Sequence, residues 1–195
     1  MIGVEGMRIE AQEIIDFWLD EVGEAQWYRA SPELDAEIRA RFEPHWRDAM
    51  DGKACGWQCA PESTLALLIL LDQMPRNMFR GTAEAFASDA KALKMAKRAI
   101  DAGHDLKTPL PQRQFYYLPL EHSENLADQE RCVRLVATHL ESAQNLLHAK
   151  VHREVIRRFG RFPYRNKALG RGTTPAEAAY LADGGYQLTL REIAA

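Results

Sequence analysis

The sequence has no apolar run long enough to cross a bilayer. Its longest, Leu65 to Leu71, falls far short of the ~20 residues that a membrane helix needs. Cysteine is scarce: the three present, Cys55, Cys59 and Cys132, are too few and odd in number for a disulfide framework, so a cytoplasmic location is expected. Met1 to Glu10 carries Glu5, Arg8 and Glu10 and no apolar targeting segment. There is no Gly-x-Ser-x-Gly elbow, no phosphate-binding Gly-Lys-Ser/Thr loop and no dinucleotide fingerprint. Those absences remove the commonest hydrolase, kinase and dehydrogenase readings, and no cofactor is implied. Cys55 and Cys59 have neither redox spacing nor a second pair with which to hold zinc, and Cys132 reads as core.

The 195 residues include 46% hydrophobic and 27% charged types, the balance of an ordinary globular protein. One domain over residues 1–195 is expected. The formal net charge of -3 hides an asymmetry. Residues 1–51 hold thirteen Asp or Glu against five Arg, whereas residues 150–171 hold eight Lys or Arg against Glu154 alone. Attraction between these halves is the simplest consequence. Net acidity argues against nucleic-acid binding by the basic segment.

Apolar spacing predicts helices throughout and no sheet. Ile14, Phe17 and Trp18 mark a first helix over about residues 8–21. Ser31-Pro32 starts a second, with Ser31 as its cap; Pro44 should kink or restart it, and Asp51-Gly52 ends it. Pro61 opens a third, apolar on every side from Leu65 to Leu71 and therefore central, which Pro75 should break. Thr82 is placed as the cap of a helix carrying Phe86, Leu93 and Ile100 and closed by Gly103, followed by a loop over 104–111. A short helix through Gln114 to Tyr117 should stop at Pro119, and Ser123 should cap the next one. From Leu126 to Phe159 the pattern fits one long helix or two broken near 139–143. Thr174-Pro-Ala-Glu177 reads as a capping box. The expected architecture is all-α: a tetratricopeptide-like bundle of antiparallel helices around the buried central helix.

Three clusters can carry chemistry. Asp72 follows seven apolar residues, near the negative end of its helix, and needs a cationic partner; Arg76, Asn77 and Arg80 lie just downstream. Either they clamp the turn after Pro75, or the arginines face a bound anion. The second cluster, Glu121-His122-Ser123-Glu124, crowds proton-moving groups at a helix mouth. The third runs from His148 to Arg171. Its His148 and His152 share one helical face, and Glu121, His122 or Glu124 could supply a third zinc ligand; without a His-Glu-x-x-His pattern such pairs are more often satisfied by hydrogen bonds, so no metal is expected. Beyond Gly160, Arg161, Arg165 and Asn166 alternate with Phe162 and Tyr164 in a turn that can hold a phosphate or carboxylate. Residues 75–85, PRNMFRGTAEA, and 163–178, PYRNKALGRGTTPAEA, echo each other in their Arg-Asn and Arg-Gly-Thr steps.

The segments LDQMPRNMFRGTAEAFASD at 71–89, YYLPLEHSE at 116–124 and the run from His152 through RRFGRFPYRNKALGRGTT to Thr174 together resemble a widespread bacterial family of unknown function, one classed with tetratricopeptide-like all-α folds. The family pattern often has histidine where this chain has Tyr164 and an aromatic where it has Met74, and it does not include His148. The resemblance implies the fold and no reaction. It also implies that Asp72, Arg76, Asn77, Arg80, His122, Ser123, Glu124, His152, Arg161, Arg165 and Asn166 belong together.

The leading functional expectation is a pocket between the central and C-terminal helices, binding a small anionic molecule. His122, Glu124 and His152 would be its proton-moving groups. Asp72, Arg76, Asn77, Arg80, Glu121, Ser123, Arg161, Arg165 and Asn166 would hold the ligand. The alternatives are a helical scaffold for a protein partner, with an aromatic patch at Trp27-Tyr28 or Trp57, and an ion-pair network that only stabilises the bundle. Oligomeric state is not encoded in any pattern seen.

Overall fold

The structure, a computed structural model, describes residues 9–195. The expected helix start near residue 8, and the charges of Glu5 and Arg8, lie outside the described residues. Helices and turns make up the described chain, with no strand among the described residues, so the all-α reading holds. Contacts divide the chain after Tyr116 into two compact units.

The first unit begins with α1 (Ala11–Asp16), which widens into a π-helical turn over Phe17–Val22. Helix α2 (Pro32–Met50) starts as the sequence indicates: the Ser31 hydroxyl accepts the Leu34 N–H at 3.2 Å. Pro44 does not restart it: the helix runs unbroken across the proline. Ile38, Phe42, Trp46 and Ala49 form one buried face across the proline, while Pro44 and Ala40, whose carbonyl loses its donor, are exposed and face water.

Helix α3 (Pro61–Leu68) is the buried central element, and Leu65 to Leu71 are all at most 4% exposed. Pro75 does not end it. The helix passes through a π-helical turn over Ile69–Gln73 into α4 (Met74–Met78), which contains Pro75. A regular helix would leave the Leu71 carbonyl, four residues before Pro75, without a donor. Here the Ser88 hydroxyl donates to that carbonyl and accepts the Trp46 indole N–H at 3.0 Å. The missing backbone donor is replaced from outside the helix.

Thr82 does not cap a long helix. Its hydroxyl turns back to donate to the Phe79 carbonyl at 2.8 Å, and only a 3₁₀ turn, Ala83–Phe86, follows. The long element is α5 (Asp89–Asp101), closed before Gly103 at φ 71° as expected. A single turn, α6 (His104–Lys107), occupies the predicted loop, and a 3₁₀ turn over Gln112–Tyr116 ends the unit.

In the second unit, Pro119 lies in the first turn of α7 (Leu118–Glu121), where its missing N–H costs nothing; it helps start a helix rather than stopping one. Asn125, not Ser123, caps α8 (Leu126–His139), accepting the Ala127 N–H at 2.9 Å. Ser142 caps α9 (Ala143–Phe159), so the long apolar pattern resolves into two helices. Arg153 meets Glu130 at 3.3 Å. These residues stand at similar distances on either side of the break, which fixes α8 and α9 as antiparallel. The Thr174 capping box of α10 (Pro175–Ala182) forms in both directions. A further helix, α11 (Tyr186–Ala194), packs on α9. Val155, Ile156, Phe162 and Tyr180 form the local core, with Phe159 and Leu188 against it. No helix among the described residues is long and apolar enough to cross a membrane.

Ser88→Ala strands two buried groups, the Leu71 carbonyl and the Trp46 indole N–H. Each such loss costs about 1–3 kcal/mol, so urea unfolding of this variant should show a stability loss of at least that order.

Candidate functional site

The residues of the first cluster pair with one another, although the buried Nε of Arg76 has no hydrogen-bond partner among the described residues. Asp72 is buried, accepts the Gln73 side-chain amide and meets Arg76 at 3.2 Å. The same Arg76 guanidinium reaches Asp89 at 2.9 Å. Arg80 grips Asp35 of α2 with two donors at 2.7 and 2.9 Å, and the Asn77 amide donates to the same carboxylate at 2.8 Å. Burial would lift the Asp35 carboxyl, but its bonds to Arg80 and Asn77 bring it below the usual range. This arrangement matches a clamp that pins the helix end to α2.

In the second unit, two more carboxylates serve as frame. Glu124 accepts the Phe162 backbone N–H at 2.8 Å and holds Arg171 through two contacts of 2.7 and 3.0 Å. Glu177 takes Arg161 at 2.6 and 2.8 Å and the Thr174 N–H at 2.7 Å. Asn166 lies between them: its amide donates toward Glu177 and its carbonyl accepts from Arg171 at 3.1 Å. Ser123 donates to Asp128 at 2.9 Å. Arg165 is 6% exposed and lies over the Phe162 ring, 4.5 Å from its centroid. These contacts fold the segment after Gly160 against the turn between α7 and α8 and onto the start of α10.

Glu121 is different. It ends α7, is 6% exposed, and accepts from Nδ1 of His152 at 2.9 Å. The turn that carries it is gathered by Gln129, a fully buried residue of α8. One amide nitrogen there donates to the carbonyls of Leu120, Glu121 and Ser123 at 3.3, 2.6 and 2.7 Å. Burial pushes the Glu121 carboxyl up, yet the charge and hydrogen bond of His152, then His122 and His148, bring it below its usual range. Glu121 is therefore a buried carboxylate ringed by imidazoles.

His152 Nδ1 also meets the His148 backbone carbonyl at 3.0 Å. Both partners of Nδ1 are acceptors, so the neutral ring carries its proton there. Nε2 has no hydrogen-bond partner among the described residues, and the side chain is 15% exposed. Aromatic rings surround it. Phe162 meets His152 edge-on at 5.6 Å, Tyr186 lies at 5.0 Å and His122 at 6.2 Å between centroids.

Sequence reasoning found Glu121, His122 and His152 but set His148 aside and passed over Tyr186. In the structure His148 Nδ1 pairs with the Tyr186 hydroxyl, and Gln144 binds the opposite ring nitrogen at 2.7 Å. The signal available was the four-residue rhythm Gln144, His148, His152 along one face of α9. Nothing local marked Tyr186. No group of three or more potential metal ligands gathers among the described residues. The suggested aromatic patch is divided: Trp27 is buried and donates to the Trp18 carbonyl, Tyr28 is 63% exposed, and Trp57 is half-buried.

A family model described as bacterial protein of unknown function (DUF924) matches residues 14–185. Among solved structures, the protein of unknown function ATU0120 from Agrobacterium tumefaciens is similar, with a TM-score of 0.85 at 41% identity. The match covers 89% of this chain and 97% of that one. No curated protein matches.

The frame has a pH signature. Arg161, then the Thr174 N–H, hold the Glu177 carboxyl down to about 2, against the usual 4.5. Between those values the unfolded chain binds a proton that the folded one does not. The stability contributed by Glu177 is thus complete above pH 4.5 and disappears as pH falls toward 2. Glu177→Gln should flatten the rise of unfolding free energy with pH across this window, as read by urea titration at several pH values.

Proposed function

This chain belongs to the DUF924 family of bacterial proteins of unknown function, and we propose that its second unit houses a proton-transfer site acting on a small molecule, with Glu121 and His152 as the working pair. The observation that carries this reading is the division of labour on one imidazole. Nδ1 is committed to a buried carboxylate, and Nε2 is left open. A carboxylate behind Nδ1 fixes the tautomer and steadies the imidazolium that forms when Nε2 takes a proton. His152 is then the base and Glu121 its positioning residue, with His122 lining the same carboxylate.

The arginines support a narrower role than wholesale anion binding. Arg161 and Arg171 are engaged by Glu177 and Glu124 and act as frame. Arg165 is the cation suited to an anionic or acyl oxygen, because its guanidinium covers the same Phe162 ring that meets His152. Three free thiols suit a reducing cytoplasm as the place of action.

A second reading, an ion-pair network without turnover, draws on the pairing of Asp35 with Arg80 and Asn77 and of Asp72 with Arg76. Diethyl pyrocarbonate, which acylates unprotonated imidazole nitrogens, separates the two. Peptide mass spectrometry should show His152 modified in the intact protein, and Glu121→Gln should slow that reaction several-fold with the other histidines unchanged. An unmodified His152, or one indifferent to Glu121→Gln, overturns the proton-transfer reading.

A further inference from the structure

The pair His148–Tyr186 lies beside the Glu121–His152 dyad and has no role in it so far. The direction of its hydrogen bond follows from the chain of donors. Gln144 presents its amide nitrogen, which can only donate, to Nε2 of His148 at 2.7 Å. That nitrogen must accept, so the neutral ring carries its proton on Nδ1. Burial holds the His148 imidazole below its usual pKa, which favours this neutral form. Nδ1–H then donates to the Tyr186 oxygen. A phenol that accepts a hydrogen bond in this way keeps its own O–H for another acceptor, and none among the described residues takes it. Burial, then the charge of Glu121, pushes the Tyr186 phenol well up. It therefore stays protonated at neutral pH, a donor and not a base.

Tyr186 is half-buried at the start of α11, and its ring stands 5.0 Å from that of His152, tilted by 58°. An open base and an oriented O–H donor are thus neighbours on two packed helices. That combination serves a reaction in which one atom loses a proton while a nearby oxygen gains negative charge. We infer that Tyr186, oriented by His148, donates its O–H to the carbonyl oxygen of an acyl substrate while His152 activates the attacking water. The inference rests on the dyad reading and names its substrate class.

The step balances with water as co-reactant. His152 Nε2 takes one proton from water as the water oxygen bonds to the carbonyl carbon. The carbonyl π pair moves to its oxygen, which the Tyr186 hydroxyl steadies. Collapse of that intermediate breaks the bond to the leaving group, which receives the proton from Nε2. Glu121 remains ionised throughout, and Tyr186 gives up no proton.

The test uses the full chain and 4-nitrophenyl acetate as the acyl probe, with kcat and KM measured separately. Wild-type turnover should exceed that of His152→Ala. Tyr186→Phe, which keeps the ring contacts, should lower kcat on the order of 10²-fold, the usual effect of removing one donor from a developing oxyanion, with KM little changed. His148→Leu should fall toward the Tyr186→Phe rate. His148→Asn should recover most of the loss, because its amide N–H can stand where the Nδ1–H stood. Wild-type kcat in Tyr186→Phe, or wild-type turnover no greater than that of His152→Ala, overturns the inference. Carbethoxylation of His152 that still depends on Glu121 would leave the dyad reading standing in either case, so the two fail separately.

Discussion

An ionised carboxylate kept out of water at Glu121 is the constraint around which the second unit is arranged. Burying such a charge without partners costs several kcal/mol or more, and a protein ordinarily answers by protonating the group. Here the answer is a ring of imidazoles, with one in direct contact. The contact dictates which nitrogen of the neutral His152 ring holds its proton and which is left bare. A structural requirement and a chemical capacity thus share one hydrogen bond. The neighbouring Cys132 thiol gains no reactivity from this site, since burial and then the Glu121 charge push it well up, away from thiolate.

The uneven charge distribution along the chain becomes local pairing in the folded units. In the acidic N-terminal quarter, Arg41 bridges Glu21 and Glu37, and Glu43 takes both Arg39 and Arg47. In the basic segment, Glu154 answers Arg157 and Arg158, and Glu177 and Glu124 answer Arg161 and Arg171. The exposed pairs contribute little each. The half-buried ones set the path of the chain after Gly160 and so place Phe162 against His152.

Much of the fold was legible because helix signals are local. Ser31, Gly103 and the Thr174–Glu177 box act within three or four residues, and each stands where the pattern put it. Neither Pro44 nor Pro75 ends its helix, because the carbonyl each leaves without a backbone donor has another recourse that local sequence does not show: exposure to water at Ala40, the hydroxyl of Ser88 at Leu71. Thr82 and Ser123 misled because a hydroxyl has several acceptors in reach, and theirs point to Phe79 and Asp128. The candidate site was legible in part for the same reason. Glu121 and His122 are adjacent in sequence and His152 shares a stripe with His148, whereas Tyr186 joins them only because α11 packs on α9. The echoed Arg-Asn segments make similar local contacts, each within its own unit: the Asn77 amide turns toward Asp35 and the Asn166 amide toward Glu177.

Gln129 collects three carbonyls of the turn from Leu120 to Ser123 while itself wholly buried in α8. The aim of the carboxylate is therefore governed from a different helix, through a side chain that touches neither carboxylate nor imidazole. A catalytic geometry is ordinarily held within about 0.5 Å, and a misplacement of about 1 Å can cost on the order of 10²-fold in rate. Shortening that one amide arm, in the first turn of α8 and eight residues beyond Glu121 in the sequence, would release the turn while leaving every titrating residue in its place.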